Sequence, residues 1–277
     1  AGDGLCSMSC PMGINVADLT HEVRRQDMGK TGHKVGEFVA DNFHGTKTAL
    51  RGVLHIADFA HTLLGGRIMG TLAKGIHAAG LPLWTPSMPK AYNASAKVRN
   101  GVSDGLKVVY FPSCLNQMMG TDKASSGLRP LAEEMTSLLN KAGYEVIFPK
   151  NMDSLCCGTI WESKGLPDIA MKKVKELENA LWEASEGGKY PVVCDQSPCL
   201  HRMKQHISKV DLYESAEFVW KFVKDRLEFV KSDTPIALHL TCSTRLMKID
   251  KIVHGLACMC SSSVLVPEGV GCCGFAG

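Results

Sequence analysis

The sequence is short of several things, and each shortage excludes something. Net charge is almost missing: 31 Lys and Arg face 28 Asp and Glu, a formal +3 over 277 residues. That balance argues against a nucleic-acid partner. No uninterrupted apolar run is long enough to span a bilayer, so membrane contact is expected to be peripheral at most. No G-x-G-x-x-G follows a strand-like run, which leaves this chain without a visible dinucleotide site. Gly65-Gly66-Arg67 and Gly187-Gly188 read as loop glycines. The ten histidines show no H-E-x-x-H. There is also no C-x-x-C pair, the close spacing that structural zinc normally uses. Composition is otherwise ordinary, 45% apolar and 21% charged, which excludes disorder and collagen-like structure. The length suits one large domain or two ordinary ones with a real core.

What the chain does have is cysteine, twelve in all. Two adjacent pairs stand out, Cys156-Cys157-Gly158 and Cys272-Cys273-Gly274. Adjacent cysteines rarely bond to each other, because the small ring strains the peptide between them. They can still pair elsewhere, so a disulfide framework stays open. Soft thiolates followed by glycine suit zinc or an iron–sulfur cluster better. A glycine without Cβ lets the backbone approach a bulky inorganic core.

The CCG triplets belong to a repeat. Each copy opens with a β-rich run ending at a cysteine: Val108 to Cys114 in one, Ile236 to Cys242 in the other. A helix-like stretch follows, then a second strand, Glu145 to Pro149 or Ser263 to Pro267, then CCG. After the first CCG the periodicity predicts a helix over Leu166–Ser185 with Met171, Val174, Leu177 and Leu181 on one side. Its Lys172, Lys173, Lys175, Glu176 and Glu178 read as a solvated face. A strand over Tyr190–Asp195 leads to Ser197-Pro198-Cys199. Alternating strands and helices predict an α/β fold with parallel sheets. Functional groups then gather at the carboxyl ends of strands, so Cys114, Cys156, Cys157 and Cys199 are expected to converge. The second copy supplies Cys242, Cys272 and Cys273 but has no counterpart of Cys199.

The amino end carries Cys6-x-x-x-Cys10-Pro11, the ending of a ferredoxin cluster motif. The nearer three-residue step upstream falls on Asp3, whose carboxylate is a candidate iron ligand or a solvated turn residue. The chain is therefore expected to begin and end inside motifs, as a window through a longer enzyme. Residues 16–80 read as helical, and Leu81 to Pro89 as a proline-rich linker. The expected organisation is a partial helical ferredoxin-like module at 1–80, a linker at 81–105, a first CCG lobe at 106–232 and a second, truncated lobe at 233–277. Of the twelve cysteines, nine are candidate cluster ligands, and Cys194, Cys258 and Cys260 read as packing residues. His201, Arg202 and Arg245 follow proposed ligands closely; surface roles are the default for them, charge support for an anionic cluster the alternative. His239 reads as a satisfied core histidine.

The tandem C…CCG…C units resemble the cysteine-rich (CCG) domain of iron–sulfur oxidoreductases. That group includes the glycolate oxidase iron–sulfur subunit, lactate-utilisation proteins and the heterodisulfide reductase B subunit. Four segments together are similar to the carboxyl-terminal half of bacterial FAD-linked D-lactate dehydrogenases: residues 3–14, Leu155 to Gly165, Ser197-Pro198-Cys199, and Pro267 to Gly277. The resemblance implies iron–sulfur clusters, of the 4Fe-4S type, held by Asp3, Cys6, Cys10, Cys114, Cys156, Cys157, Cys199, Cys242, Cys272 and Cys273. It implies FAD on a flavin domain or subunit outside this chain, and a quinone or cytochrome acceptor. It implies a cytoplasmic enzyme, peripheral to the inner membrane if it touches it. No residue of this chain is assigned a catalytic role. The heterodisulfide reductase relative ends each unit in C-x-x-C. Here Gln196 stands three before Cys199, so four cysteine ligands are expected at the first site and disulfide-cleaving chemistry is in doubt. A zinc-binding scaffold remains the reading from another class.

Overall fold

The computed structural model describes residues 10–78, 84–97, 105–125 and 127–268. The chain is a mixed α/β structure with two parallel sheets and a helical amino-terminal part. The α/β expectation holds.

Three helices open it: α1 (Val16–Asp27), α2 (Lys30–Asp41) and α3 (Phe43–Ala78). Asn15 caps α1, its side chain accepting from the Ala17 N–H at 3.1 Å. Asp18 in the first turn and Arg24 and Arg25 in the last complement the helix dipole. Helix α3 breaks at Gly65, whose φ of 72° and ψ of 166° no helix accommodates. The short α4 (Ala94–Lys97) precedes the first strand. The segment read as a linker is tied down at its end: Lys90 and Tyr92 donate backbone hydrogen bonds to Thr121 and Met118.

The main sheet has strand order β2-β1-β3-β4, all parallel. Its strands are β1 (Leu106–Phe111), β2 (Tyr144–Ile147), β3 (Val192–Cys194) and β4 (Leu212–Glu214). Val108, Val109, Tyr110 and Phe111 are buried in succession, so β1 is covered on both faces. The crossovers are α5 (Cys114–Met118) and α6 (Leu131–Lys141) after β1; α7 (Thr159–Glu162) and α8 (Pro167–Ala184) after β2; and α9 (Ser197–His206) after β3. Leu139, Leu177, Leu181, Leu200 and Met203 from these helices are fully buried with Val146, Val192 and Val193. Fully burying such a side chain is worth about 1.5–3 kcal/mol.

The second sheet repeats the opening of the first on a smaller scale. Strands β5 (Ile236–Ala237) and β6 (Val264–Leu265) pair in parallel, flanking α11 (Cys242–Leu246) and α12 (Asp250–Cys260) after α10 (Ser215–Phe218). The β-rich run to Cys242 is strand for two residues only. His239 therefore lies past the strand, and its Nε2 is buried with no hydrogen-bond partner among the described residues, against the expectation of a satisfied histidine.

The amino-terminal helices pack on α7 and α8. The Trp161 indole N–H donates to the Gly36 carbonyl at 2.9 Å, and its ring meets Phe43 edge-on with centroids 5.4 Å apart. His33–Asp168 and Lys172–Asp41 are exposed pairs at 2.7 and 2.6 Å. Such pairs contribute about 0–1 kcal/mol each, so the buried aromatic contact outweighs them. The solvated-face reading of α8 is corrected at Lys173. This residue is buried, and its ammonium donates to the Ser154 carbonyl at 3.0 Å and the Ala40 carbonyl at 3.4 Å and pairs with Glu176. The apolar methylene stem laid under a packed helix covers apolar surface as a Leu would, while the ammonium donors find two carbonyls and the Glu176 carboxylate.

Candidate metal centre

Four thiols meet at the carboxyl end of the main sheet. Cys114 is the first residue of α5, just past β1. Cys156 and Cys157 follow β2, on the loop between a short 3₁₀ turn at Met152–Ser154 and α7. Cys199 lies in the first turn of α9, past β3. Parallel strands all end at one edge, so residues from three separate crossovers are delivered to one place. Cys114, Cys156 and Cys157 are buried and Cys199 is half-buried.

The thiols stand in a row of neighbours, Cys114 beside Cys156, Cys156 beside Cys157 and Cys157 beside Cys199, each shifting the proton of the next. Among the described residues, no three Cys, His, Asp or Glu side chains close into a compact cage around a single ion. The row has unequal protons. Hydrogen bonds from Cys156 and Cys199 hold the Cys157 thiol well below its ordinary value, against burial, with Thr159 helping. The Thr159 hydroxyl lies 3.2 Å from the Cys157 sulfur. Cys156 is pushed up because it gives its hydrogen bonds to Cys114 and Cys157. Cys199 is pushed up by its bond to Cys157 and by burial. Cys114 is lowered by the Cys156 hydrogen bond and by the Lys47 ammonium, against burial.

The backbone around the row is over-determined. Ser113 caps α5, its hydroxyl accepting from the Asn116 N–H at 3.3 Å. Asp195, buried at the end of β3, accepts from the Ser113 N–H at 2.8 Å and the Tyr110 hydroxyl at 2.7 Å. It ties the Cys114 turn to the next strand. Burial raises its pKa, and these hydrogen bonds pull the other way. The Gly158 N–H points at the Cys156 sulfur at 3.5 Å.

Gly158 has a structural reason different from the expected one. Its φ is 83°, and a Cβ there would stand 2.5 Å from the Ala170 carbonyl oxygen. The glycine of the triplet lets the CC loop turn left-handed against the backbone of α8. Gly165 does the same for α1: with φ 81°, its missing Cβ would meet the Arg25 nitrogen at 2.5 Å.

Arg202 is not a surface arginine. It is buried, its Nε donates to the Cys157 carbonyl at 3.0 Å, and its guanidinium pairs with Glu162 at 2.9 Å. His201 is half-buried beside Gln205, and burial lowers its pKa. Arg245 is half-buried. Cys194 is fully buried at the end of β3, where burial pushes its thiol up, in keeping with a packing role. Cys258 and Cys260 sit half-buried on α12.

Two further features went unseen in the sequence, the buried Lys47 and Arg51 of α3. The Lys47 ammonium binds the Gln117 side chain and lies 3.3 Å from Asp153. Arg51 pairs with the same carboxylate at 2.6 Å and donates to the Gln117 carbonyl at 3.2 Å. No local pattern marks them, because their burial comes from partners far along the chain.

The remaining candidates are placed unevenly. Cys10 is described and half-buried, its thiol lowered by backbone N–H groups of Ile14 and Met12. Cys242 is buried at the first position of α11, capped by Thr241 as Cys114 is by Ser113. It stands beside the first site, since the Ser197 hydroxyl meets those of Thr241 and Ser243 at 3.0 and 2.8 Å. Asp3, Cys6, Cys272 and Cys273 lie outside the described residues.

Residues 108–204 match the family model of the CCG cysteine-rich domain, a span that contains all four thiols of the row. No curated protein and no solved structure matches the chain.

Proposed function

We propose that the chain is an iron–sulfur electron-transfer module of a flavin-dependent 2-hydroxyacid dehydrogenase of the D-lactate type. One observation carries the iron–sulfur part: four thiols from three crossovers converge at the strand ends within the CCG match. CCG domains occur in iron–sulfur electron-transfer proteins. The donor set fits such a group. It is all thiol, with no carboxylate or imidazole in the row, and soft thiolates favour iron–sulfur clusters or zinc.

When bound, the cluster supplies one-electron redox chemistry with little change in bonding. The chain's own residues do the rest. Cys114, Cys156, Cys157 and Cys199 give up protons on binding and act as ligands. Asp195 and the Ser113 cap fix the Cys114 turn, and Arg202 fixes the Cys157 carbonyl. Burial of the row keeps water off the sulfurs, which tunes potential. Cys10, with Asp3 and Cys6, and Cys242, with Cys272 and Cys273, are the ligands proposed for further clusters. The D-lactate specificity, the FAD-bearing partner and the quinone or cytochrome acceptor rest on the resemblance of residues 3–14, Leu155 to Gly165, Ser197-Pro198-Cys199 and Pro267 to Gly277 together. Among the described residues no helix is long and apolar enough to cross a membrane, compatible with the proposed peripheral place on the cytoplasmic face.

The test is anaerobic purification and reconstitution with iron and sulfide, followed by metal analysis and visible and electron paramagnetic resonance spectra. A brown protein with a reducible cluster signal, lost in Cys156→Ser and Cys199→Ser, is expected. A colourless protein with stoichiometric zinc overturns the reading. Mixing the reduced protein with a flavin subunit and a quinone analogue tests the finer assignment.

A further inference from the structure

The amino-terminal helix α3 inserts a cation between the two segments that carry three of the four thiols. Lys47 has no exposed side-chain surface. Its ammonium binds the Gln117 side-chain oxygen, and the Gln117 amide donates to the Pro112 carbonyl at 2.6 Å. Pro112 begins the turn into Cys114, and Gln117 sits three residues after Cys114, on the same face of α5. On the other side the ammonium faces Asp153, in the 3₁₀ turn that leads into Cys156 and Cys157. Arg51 completes the group from one helical turn further along α3. Two cations thus share one carboxylate at the entry to the CC loop, while the buried Asp195 accepts from the Ser113 N–H in the Cys114 turn. His44 stands 3.9 Å from the other Asp153 oxygen but is exposed.

We infer that Lys47 is a positioning residue for the cluster site, and that the buried positive charge it brings raises the reduction potential there. The inference rests on the reading that the four thiols hold an iron–sulfur group. Reduction adds one electron and one negative charge to such a group, with no protein bond broken and no proton required. A fixed cation in a buried, poorly screened place stabilises the more negative state. It also locks the Cys114 turn to the CC loop through α3, so the helical amino-terminal part becomes a working piece of the lobe's redox site.

The experiment is a dithionite redox titration of the reconstituted chain, followed by electron paramagnetic resonance, with iron content measured for each variant. Lys47→Met keeps the volume and removes the charge. It is expected to lower the reduced-to-oxidised ratio at fixed poise at least tenfold, 59 mV for one electron. Asp153→Asn leaves two unmatched cations and is expected to shift the ratio the opposite way. Lys47→Arg is expected to restore the wild-type ratio. A purely structural role would not produce shifts of opposite sign. An unchanged potential in Lys47→Met with full iron overturns the inference and leaves the proposed function standing, whereas a wild-type chain that takes up no iron overturns the proposed function itself. If Lys47→Met cannot hold iron, Arg51→Met removes the same unit of charge and its potential decides. Loss of iron in both, with retention in Lys47→Arg, supports the role of charge. Loss in all three shows that packing alone is what Lys47 contributes, and overturns it.

Discussion

Gly158 and Arg202 fix the CC loop from opposite sides. Gly158 supplies a left-handed turn pressed against the Ala170 carbonyl, and Arg202 holds the Cys157 carbonyl from α9. Gly158→Ala adds both backbone strain, about 1–3 kcal/mol, and a clash with backbone that cannot rotate away. A drop of several degrees in Tm and loss of reconstituted iron are expected, checked by thermal unfolding and iron analysis. Arg202→Leu leaves Glu162 unpaired and the Cys157 carbonyl without its donor. It is expected to cost about 1–3 kcal/mol in a denaturant titration. At this scale the sequence was half legible. The cysteines announce themselves, because adjacent thiols followed by glycine are a local pattern. Arg202, Lys47 and Lys173 do not. Whether a cation is buried is decided largely by partners on other elements, and a Lys in a Lys- and Glu-rich helix looks solvated whichever way it faces.

Helix α8 shows how an element takes its meaning from its neighbours. Its amphipathic pattern gives Val174, Leu177 and Leu181 to the core, as their spacing indicates, and Pro167 starts it where a missing N–H costs nothing. The lysine face then serves as the seat for α2 and the start of α3. Lys173→Ala removes the donor to the Ala40 and Ser154 carbonyls and opens a hole under Phe43. Limited proteolysis is expected to cut between the amino-terminal helices and the lobe faster than in the wild type, and Lys173→Met is expected to lose less, because it keeps the stem. Three strands of the main sheet were legible to within a few residues, from their β-branched runs; β4 (Leu212–Glu214) was not, being three residues long with a Glu at its end. The second sheet was less so. Its first strand stops at Ala237, and the polar Thr241 cap and α11 take over where the β-rich run seemed to continue.

For the whole molecule, the half-buried Asp153 and the buried Asp195 bend stability with pH in opposite senses. Burial opposes ionisation of Asp153, but Arg51 and Lys47 outweigh it and its pKa falls below the ordinary 3.8. Its contribution is complete above 3.8 and is lost as pH falls through the lower folded value. Asp195 has a raised pKa, from burial. The folded state binds its proton more readily than the unfolded one, so stability declines as pH rises from 3.8 through the raised value. Denaturant titrations across the acid range are expected to show Asp153→Asn losing the acid limb, with its deficit narrowing below about pH 4. Asp195→Asn is expected to stay within about 1 kcal/mol of wild type at neutral pH, because an amide oxygen still accepts from Ser113 and its N–H₂ can donate to Tyr110. The parallel β5–β6 pair around Cys242 follows the strand–helix–strand order that the second C…CCG unit predicted. The way α3 completes the first lobe was not legible, because the pairing of a helix with a distant loop leaves no period in the sequence.

The parallel order of β2, β1, β3 and β4 carries a last consequence, for assembly. Parallel neighbours cannot be joined by a hairpin, so each thiol of the row waits for another full crossover to emerge and dock. During synthesis Cys114, Cys156 and Cys157 exist as loose, oxidisable thiols until β3 and α9 bring Cys199 beside them. If the row holds the proposed iron–sulfur group, that group has its full set of four thiol ligands from this lobe only once α9 has docked.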